Sequence, residues 1–168
     1  MKFISKSLKD TQKIAGEVLV KLSACAKSDL ATRDTTSHKL KAAVLLLQGD
    51  LGSGKTTFTQ ALARELGVKE NLTSPTFVLM KSYVTRARRS ESRRRPEASA
   101  KWANLIHIDA YRLNQGEDLK NLGWDEISSN PNNLIVVEWP EKVSSLWTGE
   151  ETKLNFKFID DQTREISD

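Results

Sequence analysis

Gly49-Asp50-Leu51-Gly52-Ser53-Gly54-Lys55-Thr56 satisfies the pattern G-x-x-x-x-G-K-[ST] in full. The residues on either side supply its setting. Ala42 to Leu47 is a short apolar run, the mark of a strand buried on both faces of a sheet, and Lys55 to Leu66 reads as a helix stopped by Gly67. A strand, a glycine turn and a helix start, in that order, let backbone N–H groups wrap a phosphate where the helix dipole also favours negative charge. This is a P-loop. Its Lys55 ammonium belongs on the β and γ phosphates of a nucleotide, and the Thr56 hydroxyl can ligate the Mg²⁺ that bridges them. Gly49, Asp50, Leu51, Gly52, Ser53, Gly54 and Thr57 complete the phosphate-binding stretch. A dinucleotide fingerprint is excluded, because the third glycine of a G-x-G-x-x-G begun at Gly52 is Thr57.

Outward from the loop, the chain alternates between strand and helix patterns. From Ser7 to about Ala26, Ile14, Val18 and Leu22 recur at four-residue steps beside Ala15 and Leu19, which predicts an amphipathic helix. Lys27 to Lys39 reads as a polar loop. A turn at Thr73-Ser74-Pro75-Thr76 precedes a strand from Phe77 to Val84, and Asn104 to Ile108 is another strand. Glu117 to Leu122 suits a short helix ending at Gly123, Leu134 to Val137 a buried strand, and Lys153 to Ile159 an edge or antiparallel strand. The expected fold class is therefore α/β: a P-loop NTPase-like domain with a mixed, mainly parallel sheet sandwiched by helices. At 168 residues, one domain over 1–168 is expected, since domains usually run ~100–150 residues.

Composition narrows the class further. The longest apolar run is far short of the ~20 residues that span a bilayer, and MKFISKSLKD lacks the apolar core of a signal peptide, so no membrane role and a cytoplasmic location are expected. A single cysteine, Cys25, forms no internal disulfide and reads as an inert side chain on the first helix. The net charge of +4 is not spread over a basic face: Lys81 to Lys101 holds eight basic residues against Glu91 and Glu97. The part of it from about 86 to 101 reads as a basic, mobile insert between two strands. It is either a solvated loop or a nonspecific holder of nucleic-acid phosphates, and it has no interleaved aromatics to stack bases.

A P-loop enzyme also needs a carboxylate at the end of a neighbouring strand, to hold Mg²⁺ and orient the attacking group. Two runs supply one: Leu105-Ile106-His107-Ile108-Asp109 and Leu134-Ile135-Val136-Val137-Glu138 each deliver an acid at the strand's C-terminal end, where open α/β sheets bind ligands. Lys55, Asp109 and Glu138 are accordingly the candidate catalytic residues. His107, on the opposite side from Ile106 and Ile108, reads as packed or hydrogen-bonded. Trp139 suits core packing or a functional contact equally well, and Arg112 either a phosphate or partner carboxylate or a surface ion pair.

GDLGSGKTTF, SPTF, HIDAYRL, LGWDEI and VEWPEKV, in that order, resemble TsaE, formerly YjeE, the small P-loop ATPase family of bacterial tRNA threonylcarbamoyladenosine synthesis. The resemblance runs from about Ser7 to Ile159, with the basic insert outside the family's pattern. It implies ATP and ADP binding with Mg²⁺, weak hydrolysis by the isolated protein, and work with the TsaB and TsaD proteins on tRNA. By position it implies that Lys55 contacts phosphate, that Thr56 and Glu138 hold the metal, and that Asp109 is a second acid needed for hydrolysis. It places Thr11 near the adenine, although from the sequence alone a structural threonine at the start of a helix is the default reading. It makes Thr73, Ser74, Pro75 and Thr76 a switch segment rather than an ordinary turn. Two other classes share the loop: a small-molecule kinase, told apart by transfer of phosphate to an acceptor, and a non-enzymatic module whose nucleotide state tunes partner binding.

Overall fold

The computed structural model describes residues 1–31, 41–75, 78–86 and 101–168, with backbone alone for 25–31. Seven strands are present among them: β1 (Lys2–Ser5), β2 (Ala43–Gly49), β3 (Met80–Val84), β4 (Asn104–Asp109), β5 (Asn133–Glu138), β6 (Thr152–Phe158) and β7 (Arg164–Ser167). The helices are α1 (Leu8–Ala31), α2 (Lys55–Glu65), α3 (Gly116–Asn121) and α4 (Trp124–Ser128), with 3₁₀ turns at Ala110–Arg112 and Pro140–Leu146. The strands form one sheet in the order β1-β7-β6-β2-β5-β4-β3. Pairing is parallel for β6·β2, β2·β5 and β5·β4 and antiparallel elsewhere, so only β3 and β7 run against the rest.

The period of two sorts each central strand between two cores. Leu45 and Leu47 of β2, Leu105 of β4, Leu134 and Val136 of β5, and Leu154 and Phe156 of β6 pack with Ile14, Val18 and Leu22 of α1 and Phe58 and Leu62 of α2. Leu46, Ile106, Ile108, Ile135 and Val137 face the other way, onto Leu119, Trp124 and Val143. The same alternation carries to the strand ends. His107 and Asp109 share the parity of Leu105, and Glu138 that of Leu134 and Val136, so all three belong to the α1/α2 face.

Several boundaries depart from the sequence reading. The first helix continues through Lys27 to Ala31, into the stretch read as loop, since no glycine or proline stops it there. The strand expected from Phe77 starts at Met80, because the amides of Val78 and Leu79 turn back onto the Pro75 carbonyl at 2.9 and 2.6 Å; Phe77 lies outside the described residues. The strand read as an edge or antiparallel one, β6, lies inside the sheet, parallel to β2 and antiparallel to β7. Its alternation reports that one face is exposed, which says nothing of its place in the sheet. Three short elements, β1, β7 and α4, were not anticipated. Cys25 does lie on α1, with its side chain outside the described residues, as are residues 87–100 of the basic segment.

The start of α1 has a reciprocal cap. Ser7 Oγ accepts from the Asp10 amide at 3.1 Å, and Asp10 Oδ2 accepts from the Lys6 amide at 3.0 Å. The Lys6 amide and then the Ser7 side chain hold the Asp10 carboxyl below its ordinary value of 3.8. A lowered folded value means that the cap's contribution is complete above the ordinary carboxyl range and lost as pH falls through the lowered one. Ser7→Ala is expected to cost about 1 kcal/mol, a fall of ~2–4 °C in melting temperature by calorimetry.

Candidate functional site

Three parallel strands end side by side at the glycine loop. Leu47 of β2 and Asp109 of β4 are both register partners of Glu138 on β5, and β2 closes on Gly49, where the loop begins. Gly49 has φ 148°, and a Cβ there would lie 2.3 Å from the Phe156 carbonyl oxygen of β6, so the loop leaves the sheet along a path that only glycine fits. Gly54, at φ 100°, precedes α2, whose start has neither a side-chain cap nor an acid in its first turn. The first amides of that helix and the positive end of its dipole are therefore left for an anion.

Lys55 is buried, 4% exposed, beneath this loop. Its Nζ donates to the carbonyls of Gly49 at 2.6 Å and Asp50 at 2.9 Å, and lies 3.9 Å from the centre of the Trp139 ring. Burial pushes the ammonium's pKa down, opposed by the carboxylates of Glu138, Glu141, Asp109 and Asp50. Next along α2, Thr56 Oγ1 donates to Glu138 Oε2 at 2.9 Å. The other oxygen of that carboxylate, Oε1, is 2.7 Å from His107 Nε2. Glu138 and Asp109 are 3% and 4% exposed.

Asp109 Oδ1 accepts from the Tyr111 amide at 3.1 Å, and its Oδ2 accepts from Ser74 Oγ at 3.1 Å. The Thr73–Pro75 turn is thus tied to the acid at the end of β4, while Thr73 Oγ1 accepts from Lys81 Nζ at 2.8 Å. Thr76 lies outside the described residues. Trp139 takes a left-handed backbone, φ 59°, immediately after Glu138, and its ring meets that of Tyr111 at 5.1 Å. Trp139 therefore lies between Tyr111 and the Lys55 ammonium. Arg112 closes the 3₁₀ turn that follows Asp109 and is exposed. Leu51 stands at the loop tip, 87% exposed, and Ser53 is fully buried with no hydrogen-bond partner for its hydroxyl among the described residues.

Two residues fall elsewhere than by the loop's own strand and helix. Thr11 is buried at the β1–α1 junction, its hydroxyl 2.7 Å from Ser5 Oγ and 3.2 Å from the Ser7 carbonyl. From β7, Arg164 reaches across to the loop: its Nε donates to the Gly52 carbonyl at 3.3 Å, and its Cγ lies 3.6 Å from where a Cβ on Gly54 would be. No local pattern around Arg164 announces this contact, which joins residues 112 positions apart in the sequence.

A nucleotide and Mg²⁺ fit these residues. The loop has a backbone path that only glycine at position 49 permits, a buried ammonium, an uncapped helix start, and a hydroxyl–carboxylate pair made only of hard oxygen donors. Among the described residues no group of three or more His, Cys, Asp or Glu gathers into an all-protein metal cage.

A family model described as threonylcarbamoyl adenosine biosynthesis protein TsaE matches residues 6–166. The chain belongs to the TsaE family. Relatives called tRNA threonylcarbamoyladenosine biosynthesis protein TsaE include one from Rickettsia typhi, 34% identical over 72% of this chain and 73% of its own length. Another, from Treponema pallidum, is 33% identical over 76% and 82%, respectively. In three dimensions the chain is similar to Bacillus subtilis YdiB, with a TM-score of 0.60 and 27% identity over 99% of this chain and 82% of that one. TsaE membership and the α/β architecture therefore agree with the sequence reading. Among the described residues no helix is long and apolar enough to cross a membrane.

Proposed function

We propose that this chain binds ATP with Mg²⁺ and hydrolyses it to ADP and phosphate, as the partner-stimulated ATPase of tRNA threonylcarbamoyladenosine synthesis. The observation that carries the reading is the hydrogen bond of 2.9 Å between Thr56 of the loop helix and Glu138 at the end of the neighbouring strand. The two groups that a P-loop enzyme uses for its metal are already in contact, beside the Lys55 ammonium. The family description and the names of its members, which refer to tRNA threonylcarbamoyladenosine biosynthesis, support the pathway.

In this reading the loop amides and the N-terminal turn of α2 bind the phosphates, and Lys55 exchanges its carbonyl partners for phosphate oxygens. Thr56 and Glu138 hold Mg²⁺, which supplies neutralisation of the charge developing on the phosphate oxygens. Asp109, oriented by the Tyr111 amide and Ser74, positions the attacking water and accepts its proton. Ser74 couples that acid to the Thr73–Thr76 segment, which makes the turn a reporter of nucleotide state for TsaB and TsaD, with Trp139 and Arg112 as further contacts. The whole chain, 1–168, acts as one ATPase domain in the cytoplasm.

Purified protein incubated with ATP and Mg²⁺, with and without TsaB, TsaD and tRNA, tests this directly. ADP and inorganic phosphate should form faster with the partners, together with modified adenosine. Transfer of phosphate to a small acceptor would instead establish a kinase, and nucleotide binding without turnover would establish an interaction module. Asp109→Ala is expected to slow partner-stimulated hydrolysis by about 10²–10⁴-fold with the nucleotide affinity kept within a few-fold. Glu138→Gln should preserve partner assembly and lose turnover. Normal turnover in either variant removes that acid from the site.

A further inference from the structure

Glu138 is held at both ends. Thr56 of α2 takes Oε2 and His107 of β4 takes Oε1, while the backbone between them is locked in the parallel ladder of β4 and β5. His107 is fully buried, and its register partner on β5 is Val136, two residues before Glu138. The histidine therefore reaches diagonally along the α1/α2 face. It draws Oε1 back along β4, whereas the residue directly opposite Glu138 is Asp109.

A carboxylate only accepts hydrogen bonds, so Nε2 carries the proton in this contact. The other ring nitrogen, Nδ1, is buried with no partner among the described residues. An unpaired buried nitrogen is costly, and an apolar side chain between Ile106 and Ile108 would avoid that cost. What the imidazole provides in return is one donor, 2.7 Å from Glu138.

We propose that His107 is the positioning residue for the Mg²⁺-binding carboxylate. By occupying Oε1 it fixes the carboxylate with Oε2 toward Thr56, so that the hydroxyl and the free lone pairs of one oxygen are set before nucleotide arrives. Outer partners of this kind orient a metal-binding group without touching the metal, and losing one typically weakens metal binding about 10–100-fold. The proposal rests on the metal role given to Glu138 above and goes beyond it, to the residue that sets the carboxylate's direction.

The test uses the affinity for a non-hydrolysable ATP analogue by calorimetry, with Mg²⁺ and with EDTA, in the full chain and two variants. His107→Leu fills the space but removes the donor; His107→Gln returns an amide donor near the place of Nε2. For the native chain, Mg²⁺ should tighten binding. In His107→Leu that gain should fall about 10–100-fold while the affinity in EDTA is unchanged, and His107→Gln should recover most of it. Equal loss in both variants, or a full gain in His107→Leu, overturns the positioning role. No gain in the native chain overturns the metal reading of Glu138 and this proposal with it.

If His107→Leu does not fold, the native protein decides. With only two histidines in the chain, ¹⁵N-histidine spectra are simple to assign. A slowly exchanging proton on His107 Nε2, shifted by Mg²⁺ with the analogue but not by the analogue in EDTA, supports the proposal. A proton resident on Nδ1 with Nε2 bare, or a resonance indifferent to Mg²⁺, overturns it.

Discussion

Lys55→Ala is expected to weaken ATP and ADP binding by about 10²–10⁴-fold. A hydrogen bond to a charged group contributes about 1.5–3 kcal/mol, and an ammonium bridging two phosphates makes two of them. Without nucleotide, the same ammonium donates to the carbonyls of Gly49 and Asp50 and lies against the Trp139 ring. Alanine takes the donor from both carbonyls at a buried position, where an unmet polar group costs about 1–3 kcal/mol, so beside the loss of binding the melting temperature should fall by several degrees. Lys55→Arg should not restore binding, because a planar fork does not reproduce a compact ammonium that must reach two partners on one side. Calorimetric titration with ADP and Mg²⁺ checks the first result and a thermal scan the second. An affinity within tenfold of the native chain would mean that Lys55 does not contact phosphate.

Gly49→Ala should be the most damaging single methyl group in the loop. The added carbon would lie 2.3 Å from the Phe156 carbonyl oxygen and 3.0 Å from both Phe156 Cβ and Ser53 Oγ, at a residue whose φ is 148°. Backbone in that region costs a non-glycine residue about 1–3 kcal/mol, and forcing an atom into packed structure adds about 1–3 kcal/mol. The sum corresponds to a melting temperature lower by ~5–15 °C, and the distortion lands on the β2–β6 pairing that seats the loop. Gly52→Ala is the control. Its Cβ would meet nothing within 4 Å, so it carries only the penalty of φ 76°, and its melting temperature should fall by less than half as much. Equal shifts for the two variants would show that the approach of Phe156 does not dictate glycine at position 49.

The site was legible in the chain to the extent that its parts are contiguous. The loop is an unbroken string whose chemistry depends on spacing alone, and the two acids stand out because each closes an apolar run. Their adjacency was a matter of sheet order, which a parallel ladder between β4 and β5 supplies. His107 could be placed on the face opposite Ile106 and Ile108 from alternation, yet its partner lies on another strand, so only the register identifies Glu138. Arg164 gave no signal, since its contact with Gly52 requires β7 to fold back beside β6. The short strands β1 and β7 were illegible for a related reason: they are four residues each and owe their existence to partners distant in sequence, β1 to β7 and β7 to both β1 and β6.

The placement of β2 between β5 and β6 has a consequence for biogenesis. The phosphate cradle is encoded early, but the strands that flank it begin at Asn133 and Thr152, and the carbonyl that shapes its first glycine belongs to Phe156. A nascent polypeptide therefore emerges from the ribosome with the nucleotide motif translated and nothing beside it to pair with. Loop closure of this length must be completed before the motif gains its geometry, so ligand cannot assist the early steps of maturation. On the proposed function, nucleotide would stabilise only the nearly finished molecule.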